Sequence, residues 1–252
     1  MIIIANWKMN LDFDKSLDLA DKYLKLELPV NYKIKVLASD LVLQDLVVKF
    51  KGSQIEVFAQ DCSKFPDKGS FTGEISAEQL KKLKVAGVLL GHIERRLLLH
   101  EADEDIALKV RNALNANLQV VLTIGELEAS HTYKESLEII NSQLEAGLNG
   151  ITEDLTSKLM IAYESASSIS SLRSQSDIED DLELIFHKLE FFRTWLDQRY
   201  PNTNIPLLYG GSLEREEAKV LKRTGLLQGL LIGRNSLQYT AFKSLLQALV
   251  LA

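Results

Sequence analysis

The sequence predicts an α/β fold, a (β/α)8 barrel forming one domain over residues 1–252. Three observations carry that reading. Eight short apolar segments of strand length recur along the chain, the stretches between them have helical period, and about 250 residues is the size of such a barrel. An open doubly wound sheet is the structural alternative. It requires a glycine-rich phosphate turn after the first strand, and Asn6-Trp7-Lys8-Met9-Asn10 contains no glycine.

The strand segments are Ile2 to Asn6, Lys35 to Ala38, Ile55 to Gln60, Val88 to Gly91, Gln119 to Gly125, Leu159 to Glu164, Pro206 to Gly210 and Gly229 to Gly233. They read as nearly continuous apolar runs, as strands buried on both faces do. Between them Leu17, Ala20 and Leu24 share one helical face, and so do Ile106, Val110, Ala113 and Leu114. The longest helical stretch carries Ile178, Leu182, Ile185, Leu189 and Leu196. It opens with Ser176-Asp177-Ile178-Glu179, a capping-box pattern. Eight helices are expected, one after each strand.

Composition is that of an ordinary globular chain, with 46% hydrophobic and 25% charged residues, and no Pro/Gly/Ser-rich linker divides it. A net charge of -6 without a basic stripe speaks against nucleic acid as a partner. The lone Cys62 excludes an intramolecular disulfide and a multi-cysteine metal site, which fits a reducing compartment. The apolar start Met1-Ile2-Ile3-Ile4-Ala5 is too short for a signal peptide, and no run approaches a membrane span. The expectation is a soluble cytoplasmic protein.

Chemistry in a barrel gathers where the strands end. Glu164 closes the sixth apolar run and precedes a serine-rich stretch, which makes it a candidate base or a carboxylate that only marks a strand end. On the first strand Asn6 and Lys8 alternate onto one face while Trp7 packs outward, unless Lys8 is merely a surface lysine. His92, alone of the four histidines, follows an apolar strand, with Glu94, Arg95 and Arg96 behind it. It is a candidate proton donor or a hydrogen-bonded structural residue. No histidine pair has ligand spacing, so no metal is expected. The long loop from Gln60 to Glu74 carries Phe65 and Phe71, which suit either a contact surface or a loop folded on its own domain. Glycine-bearing turns at Tyr209-Gly210-Gly211-Ser212 and Ile232-Gly233-Arg234-Asn235 fit a phosphate held by backbone N–H groups.

Taken together these residues resemble the triosephosphate isomerase family over essentially the whole chain. The matching motifs are Asn6-Trp7-Lys8-Met9-Asn10, Phe71-Thr72-Gly73-Glu74-Ile75-Ser76, Gly91-His92 with Glu94-Arg95-Arg96, Ile124-Gly125-Glu126, Ile161-Ala162-Tyr163-Glu164 and Tyr209-Gly210-Gly211-Ser212. That family is the type case of the TIM barrel and of lid-gated proton transfer, so the roles that follow come from the resemblance. It implies cofactor-free interconversion of dihydroxyacetone phosphate and D-glyceraldehyde 3-phosphate in glycolysis and gluconeogenesis. Glu164 would move the proton between carbons, and a neutral His92 would serve the two oxygens. Lys8 would balance negative charge, Asn6 would hold the substrate oxygen and Glu94 would brace the site. Backbone around Ser170, Ser212, Gly233 and Arg234 would hold the phosphate. The Thr72 loop would plug into a second subunit, giving a homodimer.

The resemblance breaks in the lid. After Glu164 the family reads Pro, Val or Ile, Trp, Ala, Ile, Gly, Thr, Gly, Lys, whereas this chain reads Ser165-Ala166-Ser167-Ser168-Ile169-Ser170-Ser171-Leu172-Arg173. A poorly closing lid predicts slower turnover and loss of phosphate from the enediol. Ile93 stands in place of a serine, Thr123 of a cysteine and Arg234 of a glycine; Ile93 is expected to raise the pKa of Glu164 by desolvation. The altered lid also leaves open a barrel turned to regulation or interaction, or one acting on another sugar phosphate.

Overall fold

The computed structural model describes residues 1–127, 132–164, 175–211 and 215–251, with only the backbone for 175–181. Eight parallel strands close on themselves in sequence order. They are β1 (Ile2–Asn6), β2 (Lys33–Ala38), β3 (Ile55–Ala59), β4 (Gly87–Leu90), β5 (Gln119–Ile124), β6 (Leu159–Glu164), β7 (Leu207–Gly210) and β8 (Gly229–Ile232). Closure is made by β1 on β8, with Ile2 opposite Gly229 and Ala5 opposite Ile232. The expected strands match these within a few residues, because a strand buried on both faces leaves an unbroken apolar signature.

The described residues form nine α-helices, one more than expected. They are α1 (Phe13–Tyr23), α2 (Leu43–Lys49), α3 (Ala77–Lys82), α4 (Ile93–Leu98), α5 (Asp103–Asn115), α6 (Tyr133–Gly147), α7 (Gln175–Arg199), α8 (Arg215–Arg223) and α9 (Tyr239–Leu251). The extra one, α4, is a short turn nucleated by its own cap: His92 Nδ1 accepts the Glu94 N–H at 3.2 Å. Two expectations need correction. In α1 the buried residues are Ser16, Leu19, Ala20 and Tyr23, while Leu24 is the C-cap and largely exposed. Tyr23 is the larger anchor, stacked on Phe242 and hydrogen-bonded to the Ser236 carbonyl, so the helix turns that side inward. In α7 the helix already begins at Gln175, which puts Ser176 inside its first turn instead of ahead of it as a cap. The face Ile106, Val110, Ala113 and Leu114 of α5 is buried as expected.

Two apolar layers hold the barrel. The inner one takes Ile4, Leu37, Phe58, Leu89, Val121, Met160, Ala162, Leu208 and Leu231 from successive strands. The outer one lies between strands and helices and includes Trp7, Tyr163, Phe192 and Phe242. Period-two alternation then decides the mouth. Asn6 stands two residues beyond Ile4 and Glu164 two beyond Ala162, so both face the barrel axis at the open end, while Trp7 and Tyr163 face the helices. The opposite end is plugged by a polar group: Lys35 binds Glu56 and reaches Gln119 Oε1 at 2.8 Å. No helix among the described residues is long and apolar enough to cross a membrane.

Candidate active site

Lys8 follows β1 with φ of 50°, a left-handed conformation that costs a side-chain-bearing residue about 1–2 kcal/mol. Both of its peptide groups are held. Its N–H donates to Asn6 Oδ1 at 3.1 Å, and its carbonyl accepts from Gln60 Nε2 at 2.9 Å. Gln60 also donates to the Leu37 carbonyl at 3.1 Å, tying the turn to β2. The sequence reading ended the third strand at Gln60 without giving it this role. An amide two residues above the inward-facing Phe58 was the available signal. The Lys8 ammonium reaches Glu94 Oε1 at 2.5 Å, and its stem lies next to Gly233 at the end of β8.

His92 and Glu164 meet across the mouth. His92 Nε2 lies 3.0 Å from Glu164 Oε1, and the Ile93 N–H donates to Glu164 Oε2 at 3.0 Å. Because Nδ1 accepts the Glu94 N–H, it carries a lone pair; this assigns the neutral tautomer with its proton on Nε2, aimed at Glu164. Burial pushes the Glu164 carboxyl up, but the His92 ring, the Ile93 N–H and Lys8 together outweigh it. The carboxyl ends below its usual range. Burial does raise the carboxyl, the direction expected of desolvation around Ile93, while the Ile93 backbone N–H is among the groups that stabilise the anion and bring the net shift below the usual value. For His92 burial lowers the pKa, while the Glu164 carboxylate pulls it up and prevails. Neutrality of the ring in the free site therefore rests on the Glu94 N–H at Nδ1, since the charge facing Nε2 favours the cation.

Two glycines make room for Glu164. A Cβ on Gly125 would lie 1.8 Å from the Glu164 carbonyl oxygen, and one on Gly210 would lie 3.1 Å from Glu164 Cγ. The Ile124-Gly125-Glu126 motif is thus a close backbone approach. It is clamped by Gln143, which bonds both the N–H and the carbonyl of Gly125, at 2.9 and 3.0 Å. Arg96 is structural: its Nε donates to the Gly91 carbonyl at 2.8 Å and its Nη1 pairs with Asp103. Arg95 binds Asp61 and Glu101. Thr123 Oγ1 ties β5 to the Leu90 carbonyl at 3.0 Å.

Beyond Gly233 the chain makes a short 3₁₀ turn, Arg234–Leu237. Arg234 is exposed. Ser170, Ser212 and the lid span 165–173 lie outside the described residues. Thr72 is the second residue of an exposed turn closed by Glu74 N–H to the Phe71 carbonyl at 3.1 Å, with Gly73 at φ of 90° supplying the left-handed corner. Phe65 and Phe71 stack on each other at 3.6 Å, so the two aromatics shield one another and neither of the two sequence readings of this loop accounts for that.

The structure therefore brings together Asn6, Lys8, His92, Glu94, Glu164 and Gly233 and leaves Thr72 on an outer loop. A family model described as triosephosphate isomerase matches residues 1–249. The chain belongs to the triosephosphate isomerase family. Relatives bearing that name include one from Lawsonia intracellularis (33% identical, covering 98% of each chain) and one from Lactobacillus delbrueckii subsp. bulgaricus (34%, 94% of this chain and 93% of the other). Another, from Alkaliphilus metalliredigens, is 29% identical over 96% of each. As a member of the triosephosphate isomerase family this chain is an isomerase.

Proposed function

We propose that this chain, acting as one barrel domain over 1–252, interconverts dihydroxyacetone phosphate and D-glyceraldehyde 3-phosphate with Glu164 as the base. The observation that carries the reading is the buried Glu164 carboxylate, held ionised 3.0 Å from His92 Nε2. An ionised carboxylate accepts the proton from the carbon beside the carbonyl. The Nε2 proton of His92 polarises the carbonyl oxygen and moves to it as the enediol forms, and reversal one carbon along completes the isomerisation. Lys8 offsets the negative charge that develops, and Asn6 orients the oxygen. Glu94 braces Lys8 through the 2.5 Å contact. Gly233, Arg234, Ser170 and Ser212 surround the phosphate by their backbone, and the location is cytoplasmic.

A homodimer fits the outer loop. Phe65, Phe71, Thr72, Arg95 and Leu99 line a cleft of about 370 Å³ beside α4, and Leu98 is largely exposed on the same helix. The preformed turn and the apolar edge suit a second copy of this chain.

Steady-state isomerisation of glyceraldehyde 3-phosphate by the parent and by Glu164→Gln tests the central reading. Loss of about 10²–10⁴-fold in the variant is expected for removal of a general base. A parent without isomerase activity, or a variant with undiminished activity, refutes it. Phosphate and methylglyoxal release measured alongside report on the altered 165–173 span, for which slower and leakier turnover is expected.

A further inference from the structure

Behind Glu164 lies a polar cluster built on a lysine that no strand-end reading singles out. Lys188, on α7, is only 7% exposed, and its ammonium binds Glu126 Oε1. The same oxygen accepts from Tyr163 Oη at 3.0 Å and from Ser136 Oγ at 3.5 Å. Glu126 Oε2 is buried and has no partner among the described residues. A carboxylate in such surroundings needs a cation against it, and among the described residues Lys188 supplies it.

This cluster touches the base from two directions. Tyr163 is the residue before Glu164, with its side chain on the opposite face of β6, where its ring packs on Phe192 and Tyr209 at 5.4 and 5.8 Å and under the Lys188 ammonium at 5.7 Å. Glu126 follows Gly125, the residue whose backbone abuts the Glu164 carbonyl. Fixing the Glu126 side chain therefore fixes both the Tyr163 hydroxyl and the turn that rests on the Glu164 peptide.

We propose that Lys188 is a positioning residue for Glu164, acting through Glu126 on the end of β6. The inference rests on the isomerase reading above. A lysine that only stabilises the fold would, when removed, lower the melting temperature and leave the turnover of the folded protein unchanged. A positioning lysine moves kcat, because an error of a fraction of an ångström at the base is felt in the proton transfer more than in binding.

The test compares the parent with Lys188→Met, Tyr163→Phe and the double variant, with Glu164→Gln as reference, at a temperature where each is folded. Lys188→Met is expected to lower kcat by at least about fivefold with KM within about twofold. The double variant is expected to be no slower than Lys188→Met alone, since both substitutions act through Glu126. A smaller loss of kcat, or losses that multiply in the double variant, overturns the proposal. If Lys188→Met does not fold, Tyr163→Phe, which removes a single hydroxyl, decides: unchanged kcat overturns the route. If the parent shows no isomerisation that Glu164→Gln abolishes, it is the functional reading that fails. The ring-nitrogen NMR signals of His92 then judge Lys188 alone, shifted by Lys188→Met if the lysine sets the Glu164–His92 geometry and unmoved if it does not.

Discussion

Gly125→Ala isolates the backbone contact that seats the base. The added Cβ would stand 1.8 Å from the Glu164 carbonyl oxygen and 2.9 Å from its carbonyl carbon, both backbone atoms that cannot rotate away. Gly125 itself is clamped at N–H and carbonyl by Gln143, so the strain passes to the end of β6. Relief to ordinary contact at 3.4 Å requires the two backbone segments to part by roughly 1.6 Å. Overpacking of this kind costs about 1–3 kcal/mol. At about 2–4 °C per kcal/mol for a domain of this size, the melting temperature should fall by roughly 2–12 °C. A 1 Å displacement of a catalytic group costs about 10²-fold in rate. The assay is kcat and KM for glyceraldehyde 3-phosphate below the melting transition, with Gly147→Ala as control. There the new Cβ meets only the methyl end of Leu122 at 2.9 Å, which can turn aside. A Gly125→Ala protein that melts lower but keeps kcat within about threefold of the parent would refute the reasoning, because the strain would then stop short of Glu164.

Three further outcomes are expected. Glu164 titrates below its ordinary value and His92 above its own, with Lys8 and Glu94 the other charges facing the pair. Their mutual stabilisation is therefore full between the unfolded values of about 4.3 and 6.5. It fades as pH falls through the lowered Glu164 pKa and as pH rises through the raised His92 pKa. The melting temperature of the parent minus that of Glu164→Gln should thus be larger at pH 5.5 than at pH 9, and equal differences would remove the pair as a source of stability. Cys62 is buried and its thiol pKa is pushed up to about 12, so iodoacetamide should leave the native protein unmodified at pH 8 and label it fully in denaturant; rapid native labelling would contradict this. Phe71→Ser breaks the Phe65 stack beside the Thr72 turn, and for the proposed homodimer sedimentation should show dissociation at about tenfold or more lower dilution than for the parent. An unchanged association constant would show that this loop is not the contact.

The His92–Glu164 pair illustrates how far the chain could be read on its own. Asn6, Lys8, His92 and Glu164 were legible because each follows an apolar strand, and a strand's period of two tells which residues at its end face inward. The net direction of the Glu164 shift was not legible in the same residues. Side-chain identity showed that Ile93 would desolvate the carboxyl, while the opposing N–H belongs to the backbone and its aim depends on where α4 begins. Ser176 was misplaced because a capping pattern records only a local preference, and the helix already includes Ser176. Gln60 had the period-two signal of an inward-facing strand end, whereas Lys188, a lysine within a helix, had none that set it apart.

By itself the sequence determined the alternation of strands and helices and, through their number and the chain length, the closed barrel, while the roles of its strand-end candidates came from the family resemblance. Only the tertiary structure decided how those ends are wired together: Glu94 on Lys8, Gln60 behind the left-handed Lys8 peptide, Gly125 against Glu164, and Lys188 on Glu126. The physical reason is that burial patterning is a property of near neighbours, whereas each of these contacts joins residues tens of positions apart. Such partners meet only once the strands and helices that carry them have packed together.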